Sequence, residues 1–241
     1  IFGKILINKI VKRSHANSTV SIATNLKLKS CVSEDNWIEN KNMVLPMPIP
    51  DYTPKKKNRI SETFKILFIG RLVEKKGVEL LIRAFNKIDD LNITLTIAGE
   101  GPKAKYLKSI SENNINFVGY VSGNEKDHLI SNTDLIVIPS IISKDGDSEG
   151  LPVVVLESLI RRKLVLASYD SNAGEIIENG SNGFLFNSNN EEEFIKIIKK
   201  ISSLDSNKRA SIEKNAYELG TNYQISSLGP KYYDHFFKDL N

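Results

Sequence analysis

The sequence predicts an α/β fold, a parallel sheet with helices on both faces. Three observations carry that prediction. Short apolar runs alternate with amphipathic stretches from about residue 64 to residue 221. The runs are nearly continuously apolar, as in strands covered on both sides. Four of them end in a small residue, Gly70, Gly99, Gly119 or Ser140, followed by a polar loop. In such sheets ligands sit beyond the C-terminal ends of the strands, so these four positions mark where chemistry is expected.

The elements follow in order. "FKILFIG" ends in Gly70 and reads as a strand. "VELLIRAFNKI" places Leu80, Leu81, Ala84, Phe85 and Ile88 at helical spacing. "NITLTIAG" is rich in β-branched residues and reads as a strand. "PKAKYLKSISENN" is a helix opened by Pro102. "INFVG" and "DLIVIPS" are strands, separated by a short polar helix in "NEKDHLISNT". "KLVLAS" and "NGFLF" are two more strands. "NNEEEFIKIIKKISSL" is a helix with acids in its first turn and lysines in its last, which suits the helix dipole. Two further helical stretches cover roughly 205–219 and 223–239.

Before residue 51 the pattern does not start cleanly. "TVSIAT" and "NMVLPM" look like isolated strands, and "PMPIPDYTP" followed by "KKKNR" reads as a linker. The expected organisation is therefore residues 1–50 as the remnant of another domain with its crossover linker, 51–221 as one complete domain, and 222–241 as a returning helix. The chain begins with Ile1 rather than Met, which fits a fragment.

Composition narrows the function classes. The 241 residues are 40% hydrophobic and 26% charged, as in a soluble globular protein. The net charge of +4 is too mild to argue for nucleic acid but favours acidic ligands such as phosphates. Cys31 is the only cysteine, so no intramolecular disulfide or cysteine metal cluster is expected, and a cytoplasmic setting fits. "IFGKILINKIVKR" has apolar and basic faces; it reads either as an ordinary surface helix or as a peripheral contact with an anionic membrane.

The candidate ligand residues lie after the strands. Arg71 and Lys76, in "GRLVEKKG", flank one strand-to-helix loop, where two cations near a helix N-terminus suit a diphosphate. The alternative is a pair of solvated charges, which is also the reading for Lys75. "AGEGP" is a tight glycine turn. "FVGYVS" puts Gly119, Tyr120 and Val121 where a flat ring could approach the main chain.

"DSEGLPVVVLESLI" is the most informative stretch. It reads as a helix from about Leu151, with Pro152 in its first turn. Glu149 then stands just ahead of the helix beside the N–H groups of Gly150 and Leu151, and Glu157 lies about two turns further in. Two carboxylates for hydroxyls, with amide dipoles for an anion between them, match the layout of a nucleotide sugar. An i,i+4 pair of Glu157 with Arg161 is the alternative.

In order and spacing, "GRLVEKKGVELLIRAF", "AGEGP", "FVGYV", "DLIVIPS" and "EGLPVVVLESL" resemble the C-terminal, Rossmann-like domain of retaining glycosyltransferases of the GT-B fold, family 4 (group 1) type. The resemblance covers roughly residues 45–240. It implies that Arg71 and Lys76 grip the donor diphosphate and Glu149 holds the donor sugar near its anomeric carbon. It also implies that Gly150 and Leu151 offer amides to phosphate, Glu157 binds the ribose, and the main chain around Tyr120 and Val121 reads the base. A nucleotide-sugar donor, a glycan or lipid-linked acceptor and metal-independent transfer without a cofactor follow, at the inner face of the plasma membrane. An inactive nucleotide-sugar-binding module and a GT-B-like epimerase or phosphorylase remain alternatives.

Two departures stand out. "YDSNAGEII" has Ser171 and Asn172 where the resemblance leads one to expect glycines. None of His15, His128 and His235 matches a catalytic histidine. The final helix, with Tyr232, Tyr233, Phe236 and Phe237, resembles the one that returns to the N-terminal domain. With most of that domain absent, its aromatic face is expected to favour self-association. The chain alone is then expected to bind a nucleoside diphosphate without transferring sugar.

Overall fold

The structure is a computed structural model that describes residues 21–23, 42–54, 63–90, 92–112 and 114–237. The basic segment 1–13, the KKKNR run, His15 and the side chains of His235, Phe236 and Phe237 lie outside the described residues. The rest falls into two compact units, divided after Asp51 and again after Thr221.

The larger unit is built on six parallel strands: β3 (Phe64–Ile69), β4 (Ile93–Ala98), β5 (Ile115–Gly119), β6 (Leu135–Ile138), β7 (Leu164–Ser168) and β8 (Phe184–Phe186). They lie in the order β5-β4-β3-β6-β7-β8. This is the Rossmann-like α/β sheet that the apolar runs predict. The chain winds outward from β3 to β5, returns to β6 beside β3, and winds outward the other way. The order reverses between β3 and β6, where Ile66 and Leu67 pair with Leu135 and Ile136. The loops leaving two such strands diverge and open a crevice, which makes this the expected ligand position.

Among the described residues six α-helices accompany this sheet: α1 (Val78–Asn86), α2 (Ala104–Ser109), α3 (Gly123–Ser131), α4 (Val153–Ile160), α5 (Glu191–Ser202) and α6 (Ser206–Thr221). Strand side chains alternate between two cores, as the pleat requires. Ile66 and Phe68 of β3 pack with Leu81 and Phe85 of α1 and Phe194 of α5. Leu67, between them, packs with Val155 and Leu159 of α4 and Ile130 of α3. Each fully buried Leu, Ile or Phe stabilises the fold by about 1.5–3 kcal/mol. Every residue of β6 and β7 is buried, which explains why their sequences show no alternation.

The smaller unit contains β1 (Ser21–Ala23), β2 (Asn42–Val44) and α7 (Ile225–Phe237). β1 and β2 pair in parallel. Ile49 bridges to Gln224, and the Tyr232 hydroxyl donates to the Pro46 carbonyl at 3.0 Å. Among the described residues no helix is long and apolar enough to cross a membrane.

The switch point is tight because two loops touch there. Gly77 ends a turn of 3-10 helix, Glu74–Lys76, with φ 63, and serves as N-cap of α1. A Cβ at Gly77 would lie 1.7 Å from the Pro139 carbonyl oxygen, inside any allowed contact. Gly77→Ala should therefore destabilise the chain by about 3 kcal/mol or more. Gly180 also has a positive φ, 79, but open space where a Cβ would go. Gly180→Ala should cost only about 1 kcal/mol of backbone strain. Urea unfolding of both variants measures this, and equal losses would contradict the close approach.

Candidate functional site

The loops that leave β3 and β6 carry the charged residues singled out in the sequence, and the fold brings two of them into contact. The Lys76 Nζ donates to Glu149 Oε2 at 2.9 Å, across 73 residues of chain. Glu149 keeps 11% of its side-chain surface exposed and Lys76 21%. A carboxylate this far out of water is costly unless a cation sits against it, so the pair is a condition of the loop's conformation.

Lys75 departs from its reading as a solvated charge. Its Nζ lies 2.9 Å from Asp147 Oδ2 and 3.9 Å from Glu149 Oε1. The reason is local: the turn Glu74–Lys76 sends both lysines toward the β6 loop, where Ile141 N–H donates to the Lys75 carbonyl at 2.9 Å. Arg71 is exposed, and its side chain makes no hydrogen bond or ion pair among the described residues.

The β6 loop is held at its base and along its length. Ser168 Oγ, at the end of β7, donates to the Ser140 carbonyl at 2.5 Å. Ser143 Oγ donates to Asp145 at 2.6 Å, and Ser143 N–H to the Asp147 carbonyl at 2.9 Å, closing a turn. Asn172 Nδ2 donates to the Glu149 carbonyl. Asn172 has φ 56, ψ 13, a left-handed conformation that Asn tolerates better than most residues other than Gly. This accounts for the Asn at a position where glycine was expected.

Helix α4 begins one to two residues later than the sequence suggests. Pro152 has ψ 130 and is the N-cap of a helix that runs from Val153. Its extended ψ keeps it outside the first turn, while its carbonyl accepts the first helical bond, from Val155 N–H at 2.9 Å. No side chain caps this terminus. The Gly150 and Leu151 amides donate to no acceptor among the described residues. Uncapped helix N–H groups and two more free amides form a donor cluster suited to an anion.

Glu157 lies further along α4 with 16% of its side chain exposed. Its partner is Lys126 of α3, whose Nζ is 2.7 Å from Oε1 and 2.6 Å from Oε2. The alternative i,i+4 pair is not formed. Arg161 instead donates to Asp127 at 2.6 Å and to the Glu157 backbone carbonyl at 3.0 Å, with its guanidinium 4.3 Å from the Tyr52 ring centre. Sequence reasoning missed Lys126. The available signal was that a half-buried carboxylate needs a cation, and Lys126 is the only lysine in α3.

At the end of β5, Tyr120 is 71% exposed and Val121 is 7% exposed. Gly99 N–H donates to the Gly119 carbonyl at 2.6 Å, tying that turn to the end of β4. A Cβ at Gly99 would meet the Gly70 carbonyl oxygen at 1.9 Å, which explains glycine in "AGEGP".

Two cavities are lined by described residues, and the first borders these same β3 and β6 loops. One of 490 Å³ touches Glu74, Gly77, Glu79, Arg83, Lys144 and Asp170. Burial works to raise the Glu79 pKa, but hydrogen bonds from Tyr106 and Arg83 and the charge of Lys103 outweigh it and hold the carboxyl below its ordinary value. The other, of 580 Å³, lies toward the N-terminal ends of β3–β5, with Lys65, Thr94, Asn116 and His128 among its walls. Among the described residues no group of three or more His, Cys, Asp or Glu could hold a metal ion.

A parallel sheet with cations, carboxylates and free amides gathered at its switch point defines a Rossmann-like α/β protein with an anion-suited C-terminal edge. The family described as glycosyl transferases group 1 matches residues 51–219, and the chain belongs to that family. A protein of Escherichia coli K12 provisionally named a colanic acid biosynthesis glycosyltransferase is 25% identical over 174 residues, 69% of this chain and 43% of that protein. The amylovoran biosynthesis glycosyltransferase of Erwinia amylovora is 27% identical over 155 residues, 61% of this chain and 38% of its own. The chain thus spans less than half the length of the curated relatives it matches.

Among solved structures, an Anabaena protein, HepE, crystallised with UDP and glucose superposes with TM-score 0.79 at 19% identity, covering 93% of this chain and 65% of that one. A glycosyltransferase from Rickettsia africae gives 0.78 at 19% identity, covering 97% and 67%. These likenesses establish the fold.

The pairing pattern predicts which substitutions interact. In a double-mutant cycle on unfolding free energy, Lys126→Ala with Glu157→Gln should show a coupling of about 1 kcal/mol. Arg161→Ala with Glu157→Gln should be close to additive, because Arg161 meets the Glu157 carbonyl and not its carboxylate. A larger coupling to Arg161 than to Lys126 would contradict the geometry.

Proposed function

We propose that the chain is the donor-binding part of a retaining, family 4 type glycosyltransferase that moves a hexosyl group from a nucleotide sugar to a glycan or lipid-linked acceptor. One observation carries the reading. Lys76 and Glu149 meet across the switch point, beside the free amides of Gly150 and Leu151. A diphosphate offers Lys76 and these amides a better anionic partner, and a sugar offers Glu149 hydroxyls in exchange. The names of the relatives, from colanic acid and amylovoran biosynthesis, and the Anabaena structure with UDP and glucose support it.

In this mechanism the bond between the anomeric carbon and the diphosphate oxygen breaks, and the diphosphate leaves with the electron pair. An acceptor hydroxyl forms the new bond with retained configuration and passes its proton to the departing diphosphate oxygen. Arg71 and Lys76 stabilise the charge that develops on the leaving oxygen, in place of a metal ion. Glu149 orients the sugar, Glu157 takes the ribose hydroxyls as Lys126 gives way, and the main chain at Tyr120 and Val121 meets the base. A cytoplasmic site of action, at the inner face of a membrane that supplies the acceptor, fits this role. A nucleotide-sugar-binding module without activity of its own is the second reading.

Two binding experiments test the proposal by calorimetry with a panel of nucleoside diphosphates. Arg71→Ala and Lys76→Ala should each weaken binding by roughly 1.5–3 kcal/mol, as for a charge-assisted hydrogen bond. Lys214, on the outer part of α6 and 67% exposed, is the control. Equal small losses for all three would leave only a general effect of charge.

The glutamates should separate by ligand. Glu157→Gln should weaken both the nucleotide sugar and the bare nucleoside diphosphate, which share the ribose. Glu149→Gln should weaken the nucleotide sugar alone. Loss of bare diphosphate binding in Glu149→Gln, with none in Glu157→Gln, would reverse the assignment.

A further inference from the structure

The turn after β7 contributes a side chain that the donor-binding reading does not use. Asn172 sits between two turns of 3-10 helix, Tyr169–Ser171 and Ala173–Glu175. The first turn is anchored: Ser171 is fully buried, and its Oγ donates to the Ser168 carbonyl at 2.6 Å. The Ser171 Oγ also accepts from Ala173 N–H at 3.3 Å. The backbone on both sides of Asn172 is therefore tied, through Ser171, to the end of β7. Its Nδ2 donates to the backbone carbonyl of Glu149, on the neighbouring loop.

The consequence follows from the geometry of the peptide unit. The Glu149 carbonyl and the Gly150 N–H belong to one planar group and point in opposite directions across it. Fixing the carbonyl fixes the direction of the N–H. Gly150 places few steric limits on rotation of that plane, so the sequence alone leaves it free to turn. The Gly150 N–H has no acceptor among the described residues that could hold it instead.

We infer that Asn172 is a positioning residue: by holding the Glu149 carbonyl it locks the Glu149–Gly150 peptide plane and presents the Gly150 N–H to an anion at the switch point. This rests on the proposed donor site for its ligand, but the lock itself is a property of the unliganded chain. A glycine at 172 supplies the same left-handed backbone without the amide. The asparagine adds an orienting hydrogen bond that a glycine turn lacks.

The test uses Asn172→Gly and Asn172→Asp. Both residues accept φ 56, and neither carries the Nδ2 donor. Alanine is avoided because it would add backbone strain. Thermal unfolding of both variants should stay close to that of the native chain. In 15N-labelled protein the Gly150 amide should give one sharp resonance in the native chain. In both variants it should be broadened or doubled, while resonances in β3 and β6 are unchanged.

Calorimetry with a nucleoside diphosphate and the matching monophosphate, taken from a panel of bases, gives the functional readout. Both variants should bind the diphosphate about fivefold more weakly and lose part of the native preference for diphosphate over monophosphate. An unchanged Gly150 resonance together with an unchanged preference would overturn the inference. So would native behaviour in Asn172→Asp with loss in Asn172→Gly, since side-chain bulk and not the donor would then matter. If the native chain binds no nucleoside diphosphate, the proposed function fails, and the Gly150 resonance still decides whether Asn172 holds the plane.

Discussion

The contact between Lys76 and Glu149 organises the rest of this edge. Both groups are mostly removed from water and lie 2.9 Å apart on loops from strands that neighbour each other only at the switch point. At an effective dielectric of about 20 their attraction is on the order of 5 kcal/mol. Desolvation of the two charges offsets much of that. A pair so nearly balanced is held as long as nothing better is offered, and the proposed function exchanges it for an anion and a hydroxyl. A purely apolar contact could close the same loops, but it would have nothing to exchange.

The same logic applies at Glu157, which Lys126 holds from α3. Glu149 and Glu157 thus each have a lysine from a different element, so both carboxylates are paired in the unliganded chain. The scaffold beneath it is rigid in a specific sense. Ser168 and Asn172, both at the C-terminal end of β7, each hold a backbone carbonyl of the β6 loop. Neighbouring parallel strands let one strand's turn act as a template for the next strand's loop. Exchange of partners at this edge then asks for movement of lysine side chains, which is faster and less costly than moving backbone.

The sheet was legible in the sequence because burial on both faces leaves continuous apolar runs, as in "DLIVIPS" and "KLVLAS". Arg71, Lys76, Glu149 and Glu157 could be singled out because each follows a strand end or interrupts an apolar helix. Their partners could not. Lys126 meets Glu157 only because α3 and α4 flank the same face of the sheet, and Lys75 meets Asp147 only because β3 and β6 are adjacent. Strand order decides both, and no local pattern encodes it. Pro152 marked the start of α4, but whether a proline is N-cap or first helical residue depends on its ψ, which the ring does not fix. Asn172 looked like a departure from an expected glycine turn; its left-handed backbone reconciles the two, and its amide gives it a role that glycine could not fill.

The central claim is that a nucleoside diphosphate binds at the switch point and draws Lys76 away from Glu149. The most direct measurement is amide chemical-shift mapping of the 15N-labelled chain on titration with nucleoside diphosphates. The account predicts the largest shifts at Arg71–Gly77 and Gly150–Val154, with a second set around Tyr120 and Val121. Shifts centred instead on Lys65, Thr94, Asn116 and His128, in the cavity toward the other end of the strands, would contradict it.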